Sequence, residues 1–453
     1  MGVKIALGVM AYAAVMATVA SAHGDDDMGA GTMGMLPDDA PFYKWPDEPM
    51  SWVLKVHLVL AIFAYIVLLP AGFVMEMANH KYQSLVQLGG ALVGFLGIVF
   101  GWVHGHIHNA YARYGWFAVS ILFVHTALNL CLTLGILKRN PKAQSIYRTM
   151  GGLQLLFAYI GMVVGVINYL NLCSQGHLGQ CISHFARGSA LMMGAMFILV
   201  AMRLFGAVVV ELRRPIEFYT SIIMITVGLI GTFTEHNFFQ SSNTDDESWS
   251  HKDLQHTFIG VSWFAGGLLG LLMTWRSHPR NRTPIPAIIF IATGISMIIH
   301  QQDLAMSSHT HFMFGASLVS LGFSLICEIT LLASGFVKDR DQPAPFQYLP
   351  VFFMCASGLF LMGSNRDMVL FLINSHVDVG TYSLMLLSLC FVAMFYFNAL
   401  VDFYFVLADP PEAKYRALSD AYDETTSDRH STSSQTSTLN HSASQDLSSA
   451  NLA

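Results

Sequence analysis

Charge is scarce in this chain: Asp, Glu, Lys and Arg make up 11% of its 453 residues, while 54% are hydrophobic and the mean hydropathy is +0.50. That excludes an ordinary soluble domain, whose exterior needs about a quarter of charged residues. Basic stripes are lacking as well. The net charge of −6 is small and spread out, so nothing here tracks a phosphate backbone and nucleic acid is excluded as a partner. Thiols outside apolar runs are rarer still, being only Cys173 and Cys181, which share one loop. A disulfide between them fits an oxidising compartment, with two unrelated loop thiols as the alternative. After residue 408 the apolar residues give out in "TTSDRHSTSSQTSTLNHSASQDLSSANLA". Such a segment cannot offset the entropy cost of folding, so 409–453 is expected to be a disordered tail.

What is present is a series of long apolar windows, which mark spanning helices because only a helix satisfies its own backbone inside hydrocarbon. About eleven are expected, near residues 52–75, 84–104, 116–137, 151–171, 185–210, 217–239, 254–275, 285–302, 309–334, 346–373 and 379–408. "GSNRDM" interrupts the tenth. The first 22 residues read as a secretory signal peptide cut after Ala20-Ser21-Ala22, with an uncleaved first helix as the alternative. An exoplasmic N-terminus then places "KRNPKAQSIYR", "ELRRPIE", "WRSHPRNR" and "KDRD" in the cytosol, as the positive-inside rule requires. The fold class is an all-α integral membrane protein of a secretory-pathway or plasma membrane, with a cytosolic C-terminus and the lipid bilayer as partner. Its expected parts are the signal (1–22), an exoplasmic leader (23–50), a four-helix unit (51–172), an exoplasmic loop (173–184), a seven-helix unit (185–408) and the tail.

Histidines are distributed unevenly over this topology. Of the 19, only His80, His125, His278, His430 and His441 fall outside the exoplasmic edge and the segments beyond it. Imidazole and carboxylate together are the usual ligands of Zn, Cu or Fe, and they also relay protons. In the C-terminal half, "TEHNFF" closes the sixth span, "WSHKDLQH" opens the seventh, "HQQD" closes the eighth and "SSHTH" opens the ninth. Four consecutive spans thus bring ligand types to one depth. The candidate metal ligands are Glu235, His236, His251, His256, His300, Asp303, His309 and His311; in helical geometry His300 and Asp303, like Asp253 and His256, are i,i+3 neighbours. Interfacial histidines that are solvated or cap helices are the competing reading. A second, weaker metal candidate is the new N-terminus at His23 with Asp25, Asp26, Asp27, Met28, Met33 and Met35, where copper would be held, against the competing and favoured reading of a flexible acidic leader.

Haem b is the other cofactor considered, because His57 in the first span and His125 in the third lie at similar depth. The opposite membrane half offers only His80, so no haem-to-haem path is evident.

On "TEHNFF", "WSHKDLQH" and "HQQDLAMSSHTHF", the chain resembles the fungal Ytp-like multi-spanning family from about residue 50 to 408. The first four spans are similar to transmembrane ferrireductase cytochromes b in "HLVLAIFAYIVLLPAG", a resemblance that implies haem ligation and carries over only His57. At the family's other ligand positions this chain has Ser84, Ala112 and no histidine in "IYRTMGGLQ". The expectation is metal handling, or metal-assisted membrane chemistry, at the exoplasmic face. A b-type electron carrier is the alternative, followed by a scaffolding protein or a transporter using Arg203. The sequence names no reaction.

Overall fold

The computed structural model describes residues 50–104, 110–137, 140–173, 178–205, 214–234, 251–278, 281–300, 302, 304–333 and 343–408. The expected signal, most of the expected leader, the expected tail, and Glu235, His236 and Asp303 lie outside the described residues, as does the side chain of His251. The described chain is helical, with no strand: α1 Trp52–Met77, α2 Gln83–Val103, α3 Ala110–Thr133, α4 Pro141–Tyr169, α5 Leu178–Phe205, α6 Ile216–Thr234, α7 His251–Thr274, α8 Ile285–Ile298, α9 Ala305–Ala333, α10 Tyr348–Gly363, α11 Arg366–Asn374 and α12 Val379–Ala408. Ten of these segments are long and apolar enough to cross a membrane. Large apolar side chains such as Leu272, Phe395 and Trp52 stay exposed, as they must on helices whose outer surface meets acyl chains.

Two expected spans are modified. The eighth forms only the 14 residues of α8, a rise of about 21 Å. It ends where His300 N–H turns back to the Met297 carbonyl, 3.4 Å away. His300 is therefore not helical, and the i,i+3 relation expected between His300 and Asp303 does not apply. The tenth breaks at Asn365, whose extended backbone and side chain, accepting from Met368 N–H at 2.9 Å, start α11 as a new short helix.

Contacts divide the chain into two units. The smaller comprises residues 48–168 with 395–453. Within it Pro70, lacking an N–H, cannot bond the Ile66 carbonyl, and α1 widens into a π-helical turn over Phe63–Leu68. The Ile66 carbonyl accepts from the Tyr396 hydroxyl at 2.7 Å. In hydrocarbon, where no water can serve, such a partner for a carbonyl at a helix irregularity comes from the protein.

The larger unit comprises residues 1–47 and 169–394, and its helices meet through glycines. Gly294 of α8 and Gly315 of α9 are so close that a Cβ on Gly294 would lie 2.6 Å from the Gly315 carbonyl oxygen. Gly188 of α5 and Gly358 of α10 face each other in the same way, as do Gly228 of α6 and Gly260 of α7. The Gly315→Val protein is expected to lose about 1–3 kcal/mol from forced separation of α8 and α9, read as a lower thermal midpoint in detergent. Gly89→Ala, where an added Cβ meets nothing within 4 Å, leaves the midpoint unchanged.

Candidate functional site

Four histidines from four helices or their ends gather at one end of the larger unit. His311, in the second turn of α9, lies with its ring centroid 5.7 Å from that of His300 and 6.2 Å from that of His184 on α5. His300 is in turn 5.2 Å from His256 on α7. The rings thus form a string, His184–His311–His300–His256. His184, His300 and His311 are buried and His256 is half-buried. The short α8 permits this: by ending at Ile298 it stops His300 at the level of the first turns of α7 and α9.

Hydrogen bonds fix which nitrogen each central ring has to offer. The Gln255 amide N–H group donates to the Ser296 carbonyl at 2.8 Å and to the Ser296 hydroxyl at 2.9 Å. Its amide oxygen is therefore the atom turned to His300 Nδ1, with which it makes a hydrogen bond. Nδ1 must carry the proton, which leaves the lone pair of His300 on Nε2. His311 repeats the pattern, since its Nδ1 donates to the Ser307 carbonyl at 2.8 Å. An imidazole whose Nδ1–H is anchored on an oxygen acceptor is the arrangement usual for a metal ligand through Nε2.

Ring spacing can be compared with what an ion demands. A metal–nitrogen distance of about 2.0–2.1 Å puts each ring centroid roughly 3.2 Å from the ion, and two rings at a tetrahedral angle roughly 5.2 Å apart. The observed 5.2 and 5.7 Å about His300 are close to this, and His184 lies somewhat farther out. The nitrogens themselves have not converged. Among the described residues, the set whose ligand atoms already lie within 4.8 Å of one another is Cys173, Cys181 and Asp367. That set is no metal site, because the two sulfurs are joined in a disulfide and Asp367 accepts from the Cys173 N–H at 2.6 Å. The four imidazoles are thus gathered neighbours that side-chain rotation would have to bring onto one ion.

Of the residues singled out from the sequence, the structure brings His256, His300 and His311 together. His309 does not join them: two residues from His311 on one helix, it points about 200° away and is half-buried on another face of α9. His184 belongs to the cluster and was missed as a ligand, although it stands in the same histidine-rich layer, three residues after Cys181. Gln255 was missed too, and no local pattern announces it.

His57 and His125 occupy different neighbourhoods of the smaller unit. His57 Nδ1 bonds the Gly97 carbonyl at 2.7 Å and Nε2 bonds the Tyr111 hydroxyl at 3.1 Å, so both ring nitrogens are taken. The ring also lies against α2, where a Cβ on Gly101 would be 2.8 Å from Nδ1. His125 stacks on Tyr147 at 4.8 Å, and its Nε2 is buried without a hydrogen-bond partner. These residues do not fit a haem clamp. Tyr147, on which His125 stacks, belongs to a polar layer: Tyr147 donates to Gln87 Oε1, Gln87 donates to Glu76 at 3.1 Å, and Arg148 approaches Glu76 at 3.7 Å.

The other end of the larger unit is held by charge. Arg282 bonds Glu217 at the start of α6 and lies 3.9 Å from Glu328 near the end of α9, with all three side chains largely buried. Seventeen residues separate His311 from Glu328 on α9 (328 − 311), about 26 Å of helix. The imidazoles and this ionic triad therefore mark opposite ends of one bundle.

A set of apolar helices of this length, with polar clusters confined to their ends, defines a multi-spanning α-helical membrane protein. Residues 157–405, more than half of the chain, match the family described as "Protein YTP1-like, C-terminal", and the chain belongs to that YTP1-like family. Residues 41–135 match a domain of unknown function, DUF2427. Protein YTP1 of Saccharomyces cerevisiae is 29% identical over 404 residues, covering 83% of each chain. An uncharacterized membrane protein of Schizosaccharomyces pombe is 20% identical over 478 residues, covering 76% of this chain and 92% of its own. A second S. cerevisiae protein, also an uncharacterized membrane protein, shares 29% identity over 34% of this chain and 27% of its own. No solved structure matches.

Proposed function

We propose that this protein binds a transition-metal ion between His256, His300 and His311, with His184 as a fourth ligand, at the exoplasmic face of a secretory-pathway or plasma membrane, and that it handles metal there. The observation that carries the reading is the matched anchoring of His300 and His311. Each Nδ1–H is held by an oxygen acceptor, Gln255 in one case and the Ser307 carbonyl in the other, within a group of rings 5.2–6.2 Å apart. Burying polar groups at bilayer depth is costly, and where it occurs it usually serves function.

Neutral imidazoles select the ion by type. They suit Zn, Cu, Fe or Ni, whereas Ca and Mg require oxygen ligands. Three nitrogens with a fourth at the margin leave room for an exchangeable ligand, the condition for both metal transfer and metal-assisted chemistry. The ion, when bound, would supply Lewis acidity. The chain's own part is to hold the imidazoles in one tautomer and keep lipid away from them.

Elemental analysis of detergent-purified protein loaded with Zn(II) or Co(II) and then desalted tests this directly. About one ion per chain is expected, with Co(II) giving the absorption of a nitrogen-rich site. Protein that loses all ion on desalting, and shows no cobalt band, would refute the proposal and leave the four rings as packing between helices.

A further inference from the structure

The start of α5, which carries His184, is clamped on both sides of that residue. Cys181, three residues earlier, is disulfide-bonded to Cys173, and Cys173 holds a left-handed backbone (φ +59°) that directs its N–H to Asp367 Oδ2, 2.6 Å away. Asp367 is 4% exposed, in the first turn of α11, next to the Asn365 that caps that helix. Cys181 Sγ lies 3.8 Å from the Asn365 amide oxygen, so both halves of the disulfide rest on the α10–α11 break. Four residues after His184, Gly188 packs backbone to backbone against Gly358 of α10. Cys181, His184 and Gly188 follow i, i+3, i+7 spacing and so share one face. His184 thus sits between a covalent clamp and a steric one, and only the covalent clamp can be opened chemically.

We infer that the Cys173–Cys181 disulfide and Asp367 position His184 in the imidazole cluster, making the cluster's fourth ligand sensitive to thiol redox state. The inference rests on the metal reading for its consequence, though not for its geometry. Reduction by a phosphine breaks the S–S bond; each sulfur gains an electron and a proton, and the phosphine leaves as its oxide with oxygen from water. Freed of the bridge, Cys173 no longer tethers the loop to α5, and the first turn of α5 loses its link to Asp367. His184 then leaves the neighbourhood of His311, while His300 and His311 keep their own anchors.

Two readouts separate the inference from the reading beneath it. The first is Co(II) affinity of the full chain in detergent. Cys173→Ser/Cys181→Ser should weaken it about tenfold, the size of effect typical when a residue supporting a ligand is lost. Asp367→Leu should do the same, and Asp367→Asn, whose amide oxygen can still accept from Cys173, should restore most of it. In a His184→Ala background the cysteine substitutions should have no further effect. The second needs no metal: ethoxycarbonylation of His184 by diethylpyrocarbonate, followed by mass spectrometry. His184 is 7% exposed and should be protected in the oxidised protein and labelled in the cysteine variant or after phosphine treatment. Wild-type protein without bound ion would sink the metal reading while labelling still decides the positioning role. Unchanged labelling in the cysteine variant overturns that role, as does an equal loss of affinity with and without His184. Circular dichroism and monodisperse elution of each variant show that a change is local.

Discussion

The His300→Ala and His311→Ala proteins should each retain less than about a tenth of the wild-type metal after desalting, whereas His309→Ala should retain all of it. The contrast comes from one helix. His309 and His311 are two residues apart on α9, equally histidine and at nearly the same depth, yet among the described residues it is His311 that lies within 6.2 Å of other imidazoles. Gln255→Leu should weaken binding by 10 to 100-fold, about what an outer hydrogen bond to a ligand is worth. It removes the oxygen that fixes the His300 tautomer without touching the ring. Metal content by plasma emission measures all four. Equal losses in His309→Ala and His311→Ala would mean that the histidine layer collects ions diffusely, and the cluster would have no special standing.

Arg282→Met is expected to cost about 3–5 kcal/mol, the penalty for leaving buried charge without its partner. Exposed ion pairs contribute only about 0–1 kcal/mol; here the Arg282 side chain is 9% exposed, Glu217 6% and Glu328 15%. Glu217 Oε2 already lacks a hydrogen-bond partner, so the guanidinium is the main group offsetting that carboxylate. Arg282→Lys should recover part of the loss, since a point charge meets one carboxylate but does not present a planar fork to two. Glu328→Gln, which leaves the closer Glu217 pair intact, should cost less than Arg282→Met. Thermal midpoints in one detergent rank the variants. Because the triad lies at the far end of α9, Arg282→Lys should not alter metal stoichiometry, and a change there would show that the two ends are coupled.

Particular residues show how far reading along the chain reaches. The apolar windows become helices because hydrocarbon offers backbone groups no other partner, and each of the eleven expected segments is helical, the tenth as two helices. Chain order could not show that the eighth stops at 14 residues, because that depends on a local turn; "GSNRDM" did signal a break in the tenth, and the structure places it at Asn365. Periodicity places His309 and His311 on different faces of a helix. It does not say which face meets other imidazoles.

The sequence by itself determined an apolar multi-spanning chain and its helical class, since both follow from composition and from spacing within a few residues; it left the pairing of Cys173 with Cys181 as one of two readings, and the structure joins them. Tertiary structure alone decided the membership of the cluster. His184 lies 127 residues from His311 (311 − 184) and Gln255 lies 45 from His300, and their relation exists only through helix packing, to which the glycine contacts of α5 with α10 and of α8 with α9 contribute. A ligand's worth is set by what stands within a few ångströms of it, and that distance is fixed by helix packing, which no stretch of neighbouring residues encodes.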